Sequence, residues 1–151
     1  MDWSPHITVA SILERNQQFL FVEERINDVL VLNQPAGHWE QGETLLEASI
    51  RETLEETAWH YQPSHLTGVY QWLHPGTKET FLRFCFTGEL RKHEAQRELD
   101  EDIEQAVWLS YEQLTARHTQ HRSPLVLQCI NDYLKGQRFD LSLLQTEQKP
   151  D

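Results

Sequence analysis

Residues 37–59 read Gly-His-Trp-Glu-Gln-Gly-Glu-Thr-Leu-Leu-Glu-Ala-Ser-Ile-Arg-Glu-Thr-Leu-Glu-Glu-Thr-Ala-Trp, and their spacing decides how the rest of the chain is read. Thr44-Leu45-Leu46-Glu47 fits a capping box, in which the Thr hydroxyl and the Glu carboxylate satisfy free backbone N–H groups at a helix start. At about 100° per residue, Leu46, Ile50, Thr53, Leu54 and Thr57 share one arc. Glu52, Glu55 and Glu56 fall on roughly the opposite side, and Leu45 joins them near the start. The apolar arc is expected to dock on a sheet while the carboxylates face a cleft. The three glutamates stand at i, i+3 and i+4, where like charges cost about 0.2–0.5 kcal/mol per pair. A site that needs hard oxygen ligands for Mg²⁺ or Mn²⁺ accounts for tolerating that cost.

The chain has 151 residues, enough for one compact domain with a real core, expected to span residues 1–151 with a polar tail from about residue 145. Thirteen basic against twenty-four acidic residues give a net charge of −11. That sign argues against duplex nucleic acid and against an anionic membrane surface as partners. Small phosphorylated ligands remain compatible, because a bound cation inverts the local field. The start, Met1-Asp2-Trp3-Ser4-Pro5-His6, lacks the basic region of a secretory signal, and no apolar run approaches a membrane span. A cytoplasmic location is expected. Cys85 and Cys129 are expected as buried reduced thiols, with a disulfide or a metal pair as the alternatives.

Working outward, His6 to Leu13 and Gln18 to Glu23 are β-rich runs separated by polar Glu14-Arg15-Asn16-Gln17, which predicts a hairpin. Val29 to Leu32 predicts a third strand, running into the breaker-rich Asn33-Gln34-Pro35-Ala36-Gly37. Beyond Pro63, Leu66 to Leu73 and Thr80 to Leu90 read as strands, Arg91 to Glu104 as a charged loop and Gln105 to Leu109 as a short strand. Tyr111 to Ala116 reads as helical, and Ser123-Pro124 starts a last helix that ends near Gly136. Strands with helices between and after them predict an α/β sheet covered on both faces.

Gly37, Glu43, Arg51, Glu52, Glu55 and Glu56 stand at the spacing Gly-x5-Glu-x7-Arg-Glu-U-x-Glu-Glu-x-Gly-U, where U is bulky and apolar. This run resembles the Nudix box. Two positions depart: Thr53 replaces a bulky apolar residue, and Ala58 replaces the final Gly, setting a Cβ against a left-handed helix end. Asn33-Gln34-Pro35-Ala36-Gly37-His38, Gln71-Trp72, Phe81-Leu82-Arg83-Phe84 and Arg122-Ser123-Pro124-Leu125-Val126 extend the likeness toward the NudJ-type phosphatase branch, up to about Leu141.

The resemblance implies an α/β/α sandwich with a mixed β-sheet and Mg²⁺-dependent hydrolysis of phosphoanhydrides, with Mn²⁺ as an alternative ion. The implied substrates are nucleoside di- and triphosphates and thiamine-type pyrimidine pyrophosphates, with release of orthophosphate. Glu52, Glu55 and Glu56 are implied as metal ligands, with Gly37 beside them at the metal. Glu52 is also implied as general base, and Arg51 as the group that orients Glu55. Glu43 would brace the loop. Gly37 would let the backbone turn close to the phosphates. With Gly37, His38, Trp72 and Arg83 are the candidate substrate contacts, His38 by its place beside the box glycine. Trp72 and Trp39 read either as stacking partners for a base or as packing, and Arg83 either as a phosphate contact or as an exposed strand charge. Glu101 and Asp102 are candidates for a further carboxylate, against a reading of Asp100, Glu101, Asp102 and Glu104 as a solvated loop. His118 and His121 lack zinc spacing. Pro75, sixteen residues past Trp59, matches a feature of ADP-ribose-hydrolysing relatives. The alternatives are therefore an ADP-ribose or nucleotide-sugar pyrophosphatase, or a non-catalytic ligand-binding module, as monomer or homodimer.

Overall fold

The computed structural model describes residues 2–147. Among the described residues, nine strands and three α-helices follow one another as β1 (His6–Ile12), β2 (Glu14–Arg15), β3 (Gln18–Ile26), β4 (Val29–Asn33), β5 (Ala36–His38), α1 (Leu45–Thr57), β6 (Trp59–Leu73), β7 (Thr80–His93), β8 (Ile103–Ser110), α2 (Tyr111–Ala116), α3 (Leu125–Leu134) and β9 (Phe139–Asp140). Single 3₁₀ turns occupy His118–Gln120 and Leu141–Leu143. The strands form a mixed five-stranded sheet, β5-β1-β7-β6-β9, and an antiparallel four-stranded sheet in which β3 pairs with β2, β4 and β8. Only β1 and β7 run parallel among the named strands. This is the mixed α/β sandwich that the sequence predicts.

Alternation along the strands explains the layers. Val9, Leu66 and Phe86 point to the α1 side and pack with Ala48. Their neighbours Ala10, Tyr70 and Cys85 point the other way, into the core under α3 with Val126, Cys129 and Ile130. A third cluster, Leu13, Leu20 and Tyr61, receives Ile50 and so ties α1 to the second sheet as well. Cys85 and Cys129 are free and buried. No helix among the described residues is long and apolar enough to cross a membrane.

Several expectations are corrected. The predicted first hairpin is shorter than its two runs, because the chain changes sheets at Leu13. β1 pairs with β5 and β7, and only Glu14–Arg15 folds back on β3 across Asn16 and Gln17, whose φ angles of 53° and 63° are left-handed. β6 starts at Trp59 instead of Leu66, with Pro63 accommodated by register shifts on both sides of the strand pairing. β7 continues to His93, so the charged connection shrinks to residues 94–102. Gln145 to Glu147 are exposed, and residues 148–151 of the tail expected from about residue 145 lie outside the described residues.

Helix α1 also departs from its predicted facing. Its buried residues are Ala48, Ser49, Glu52, Thr53, Glu56 and Thr57, while Leu54 is half-buried. Leu45, expected on the acidic side, packs against the Val9 cluster. Ala58 takes the left-handed cap, φ 64° and ψ 15°, despite its Cβ, and its N–H donates to the Leu54 carbonyl. Closing the helix satisfies an otherwise orphaned carbonyl, which offsets the roughly 1–2 kcal/mol that this backbone region costs an L residue.

Candidate functional site

The capping box forms as predicted: the Glu47 N–H donates to Thr44 Oγ1 at 3.1 Å and the Thr44 N–H to Glu47 Oε1 at 2.9 Å. With the helix start fixed, Glu52 and Glu55 project one turn apart. The charged connection after β7 then closes on the same helix. The Glu94 N–H donates to the Ala58 carbonyl at 2.8 Å, and the Asp100 N–H to the Glu55 carbonyl at 3.0 Å. Asp100 is thereby delivered to the helix, and carboxylate oxygens of Glu52, Glu55 and Asp100 all lie within 4.8 Å of one another. Three hard oxygen donors converging in this way fit Mg²⁺ or Mn²⁺ and suit a softer ion poorly.

Arg51 holds this acidic surface together. Its Nε and Nη2 donate to the two oxygens of Glu43, at 2.9 and 2.8 Å, a fork-to-fork pair. Nη1 donates to Glu52 Oε1 at 2.9 Å and to Glu55 Oε2 at 3.4 Å, and Nη2 reaches the His38 carbonyl at 3.0 Å. The predicted Arg51–Glu55 contact is thus the longest of these, and the Glu43 pair dominates. Arg51 hydrogen bonds hold Glu43 below the usual carboxylate range, and Glu43 in turn raises Arg51. Glu43 also accepts from the Glu40 N–H, which makes it the brace of the loop.

Burial sets the remaining carboxyls. Desolvation pushes Glu52 up to about 7, against the opposing pull of Arg51. It raises Glu56 well above the usual range, although Glu56 Oε1 accepts the Ala36 N–H at 2.9 Å. Two glutamates only 8% and 6% exposed are expensive in water-free surroundings unless a cation sits nearby. Glu56 stands outside the Glu52–Glu55–Asp100 group and faces the cleft.

Gly37 occupies β5, opposite Val9, and its φ is not left-handed. Its role differs from the turn suggested by the sequence. A Cβ placed there would lie 2.1 Å from the Glu52 carboxyl carbon, so glycine makes room for that carboxylate.

A cleft of about 520 Å³ opens beside Glu52 and Glu56. Trp72 and Phe81, paired across β6 and β7 with rings 5.7 Å apart, contribute an aromatic wall. His38 lines the cleft too; its Nε2 lies 3.1 Å from His6 Nδ1, and His6 stacks on Phe81 and bonds Glu79. Arg83 lines the cleft but is only 6% exposed, so it is not the exposed strand charge offered above. Its guanidinium donates to Gln34 Oε1 at 2.8 Å and Asn33 Oδ1 at 2.9 Å, fixing the loop before β5. Trp39 lies away from this cleft, with its indole N–H on the Glu43 carbonyl.

Sequence reasoning named Glu101 and Asp102 where the structure brings Asp100 to the cluster. Asp102 turns instead toward β3, where its carbonyl accepts the Arg25 N–H. Glu24 and Arg122, both lining the cleft, were missed. Glu24 carried no clean signal, because the pairing of β3 with β8 shifts register between Glu23 and Glu24, which breaks simple alternation there.

A NUDIX domain family model matches residues 4–129. The chain is 42% identical to Phosphatase NudJ of Shigella boydii, and equally to that of Escherichia coli, over 142 residues covering 94% of this chain and 92% of each relative. A solved NUDIX hydrolase from Nitrosomonas europaea superposes with a TM-score of 0.93 at 42% identity, covering 95% of this chain and 97% of that one. The NUDIX domain of Shewanella oneidensis NrtR, solved in complex with ADP ribose, shares the fold at 16% identity, with a TM-score of 0.70 and 88% of each chain covered. Both the matched span and the identity across nearly the full length place this chain in the Nudix family, as a Nudix hydrolase.

Proposed function

We propose that the protein is a Mg²⁺-dependent phosphoanhydride hydrolase that acts, as a single domain in the cytoplasm, on nucleoside di- and triphosphates and on thiamine-type pyrimidine pyrophosphates, releasing orthophosphate. The convergence of Glu52, Glu55 and Asp100 carries this reading. The NudJ relatives support the phosphatase class. A divalent ion bound there would neutralise charge on the phosphates and acidify a water.

The chain's own groups do the rest. Arg51 fixes Glu52 through Oε1, leaving Oε2 to take the proton of the attacking water. The water oxygen adds to phosphorus, the bridging P–O bond breaks, and the bridging oxygen leaves with the departing group. Glu56, one turn beyond Glu52 and anchored by the Ala36 N–H, would offer a further carboxylate to a cation bound there. The Trp72–Phe81 wall offers a π surface to a base or pyrimidine ring.

Orthophosphate release from ADP, GTP and thiamine pyrophosphate, measured with Mg²⁺ and with excess EDTA, tests the proposal. Turnover that EDTA abolishes is expected. Preferential cleavage of ADP-ribose to AMP would reassign the substrate, and no turnover on any phosphoanhydride would leave a binding module.

A further inference from the structure

Five carboxylates line the cleft: Glu24, Glu40, Glu52, Glu56 and Glu79. A polyanionic substrate entering it meets a repulsive field that a metal at the Glu52 end relieves only locally. Cationic donors are therefore needed elsewhere on the wall, and most of the arginines nearby are already committed. Arg51 spends its donors on Glu43, Glu52, Glu55 and the His38 carbonyl. Arg83 spends its own on Asn33 and Gln34.

Arg122 differs. It lines the cleft with a side chain 44% exposed, and its nearest partner is Glu24 at 3.7 Å, beyond hydrogen-bond reach. Its backbone is nevertheless fixed, since the Arg122 N–H donates to the Leu32 carbonyl at 2.8 Å. Its guanidinium lies at the cleft wall beside Glu24 of β3. A forked donor on a rigid base, with a loose carboxylate neighbour, suits phosphate oxygens.

We propose that Arg122 binds the substrate's phosphate chain, leaving Glu24 for non-bridging phosphate oxygens when substrate enters. This rests on the phosphoanhydride reading above and adds a residue to it. Calorimetric titration of the Mg²⁺-loaded protein with α,β-methylene-ADP and with imidodiphosphate tests it. Arg122→Gln should weaken both probes by roughly tenfold or more, the loss of a charge-assisted hydrogen bond, with the melting temperature unchanged. Arg122→Lys should keep part of the affinity, and Glu24→Gln, which removes the competing carboxylate, should tighten both. In steady state Arg122→Gln should raise KM for ADP more than it lowers kcat. Unchanged affinity for both probes, or a loss confined to methylene-ADP, would overturn the inference, as would weaker binding in Glu24→Gln or a wild-type protein that binds neither probe. Wild-type protein that binds both probes but hydrolyses no phosphoanhydride would instead defeat the catalytic reading and leave Arg122 as an anion contact.

Discussion

The Glu52 carboxyl carbon lies 2.1 Å from the point where a β-carbon on Gly37 would stand. The Glu52 carboxylate and a strand backbone thus occupy space that a single methyl would contest. Gly37→Ala should displace the Glu52 carboxylate, which is the movable partner. Because misplacement by about 1 Å can cost about 100-fold in rate, turnover should fall by that order while urea unfolding stays near wild type. Unaltered kcat in Gly37→Ala would show that Glu52 works from another rotamer.

Asp100 joins the acidic cluster through a backbone bond to the helix, and its neighbours do not. Asp100→Asn should cut turnover by about 10–100-fold and raise the Mg²⁺ concentration needed for half-maximal rate. Glu101→Gln and Asp102→Asn should remain within about twofold, as surface changes do. Glu55→Gln and Glu56→Gln should each cost at least about 100-fold, with circular dichroism unchanged. A metal titration of activity for all five variants checks the assignment.

Thr53, an odd residue for its place in the box, is matched by a hydroxyl from β1, in the sheet that α1 packs on. Ser11 Oγ lies 2.8 Å from Thr53 Oγ1, which itself donates to the Ser49 carbonyl, so the Ser11 hydroxyl is the donor between them. Both side chains are fully buried. Thr53→Val should destabilise by about 1–3 kcal/mol, because it strands a buried hydroxyl. Ser11→Ala in the Thr53→Val background should recover part of that loss, giving a clearly sub-additive double-mutant cycle by urea denaturation. Additive losses would mean that the two hydroxyls do not communicate.

Glu23 supplies a pH dependence away from the Glu52–Glu55–Asp100 cluster. Burial alone would raise its carboxyl, but hydrogen bonds from Arg117 and Gln105 outweigh burial and leave it below its ordinary value of 4.5. A folded-state value below the unfolded one means that the unfolded chain binds more protons. The stabilisation is therefore present above pH 4.5 and is lost as pH falls through the folded value. Urea midpoints between pH 3 and 7 should drop less steeply for Glu23→Gln than for wild type, while Glu23→Gln is the less stable of the two at neutral pH. Parallel pH profiles would remove Glu23 from the acid transition.

What was legible in the chain was mostly local. The capping box at Thr44 and Glu47, the helix after it and the ring of box residues depend on neighbours within a turn or two, and spacing reports those directly. The expectation that the α1 carboxylates face a cleft agrees with Glu52 and Glu56 lining it, but the apolar arc was misplaced, because strands of both sheets contact α1 and bury Ala48, Ser49, Glu52 and Glu56 rather than Leu54. Pro63 hid the first half of β6 because a bulge there takes up the missing donor. Among Asp100, Glu101, Asp102 and Glu104, only the Asp100 N–H bond to Glu55 singles out the carboxylate that joins Glu52 and Glu55. Arg122 carries no periodic signal; its meaning comes from Asn33 and Gln34 having claimed Arg83.

The connection between β7 and β8 hangs from the end of α1 at two knots, Glu94 on the Ala58 carbonyl and Asp100 on that of Glu55. Ala95 to Glu98 between them are exposed. Slack in that bight never reaches the aspartate, since each knot bears its own load. Foreign peptide or a dye spliced there would ride on the rim of α1 without loosening it, so this stretch tolerates changes of length and charge that leave the acidic cluster in place.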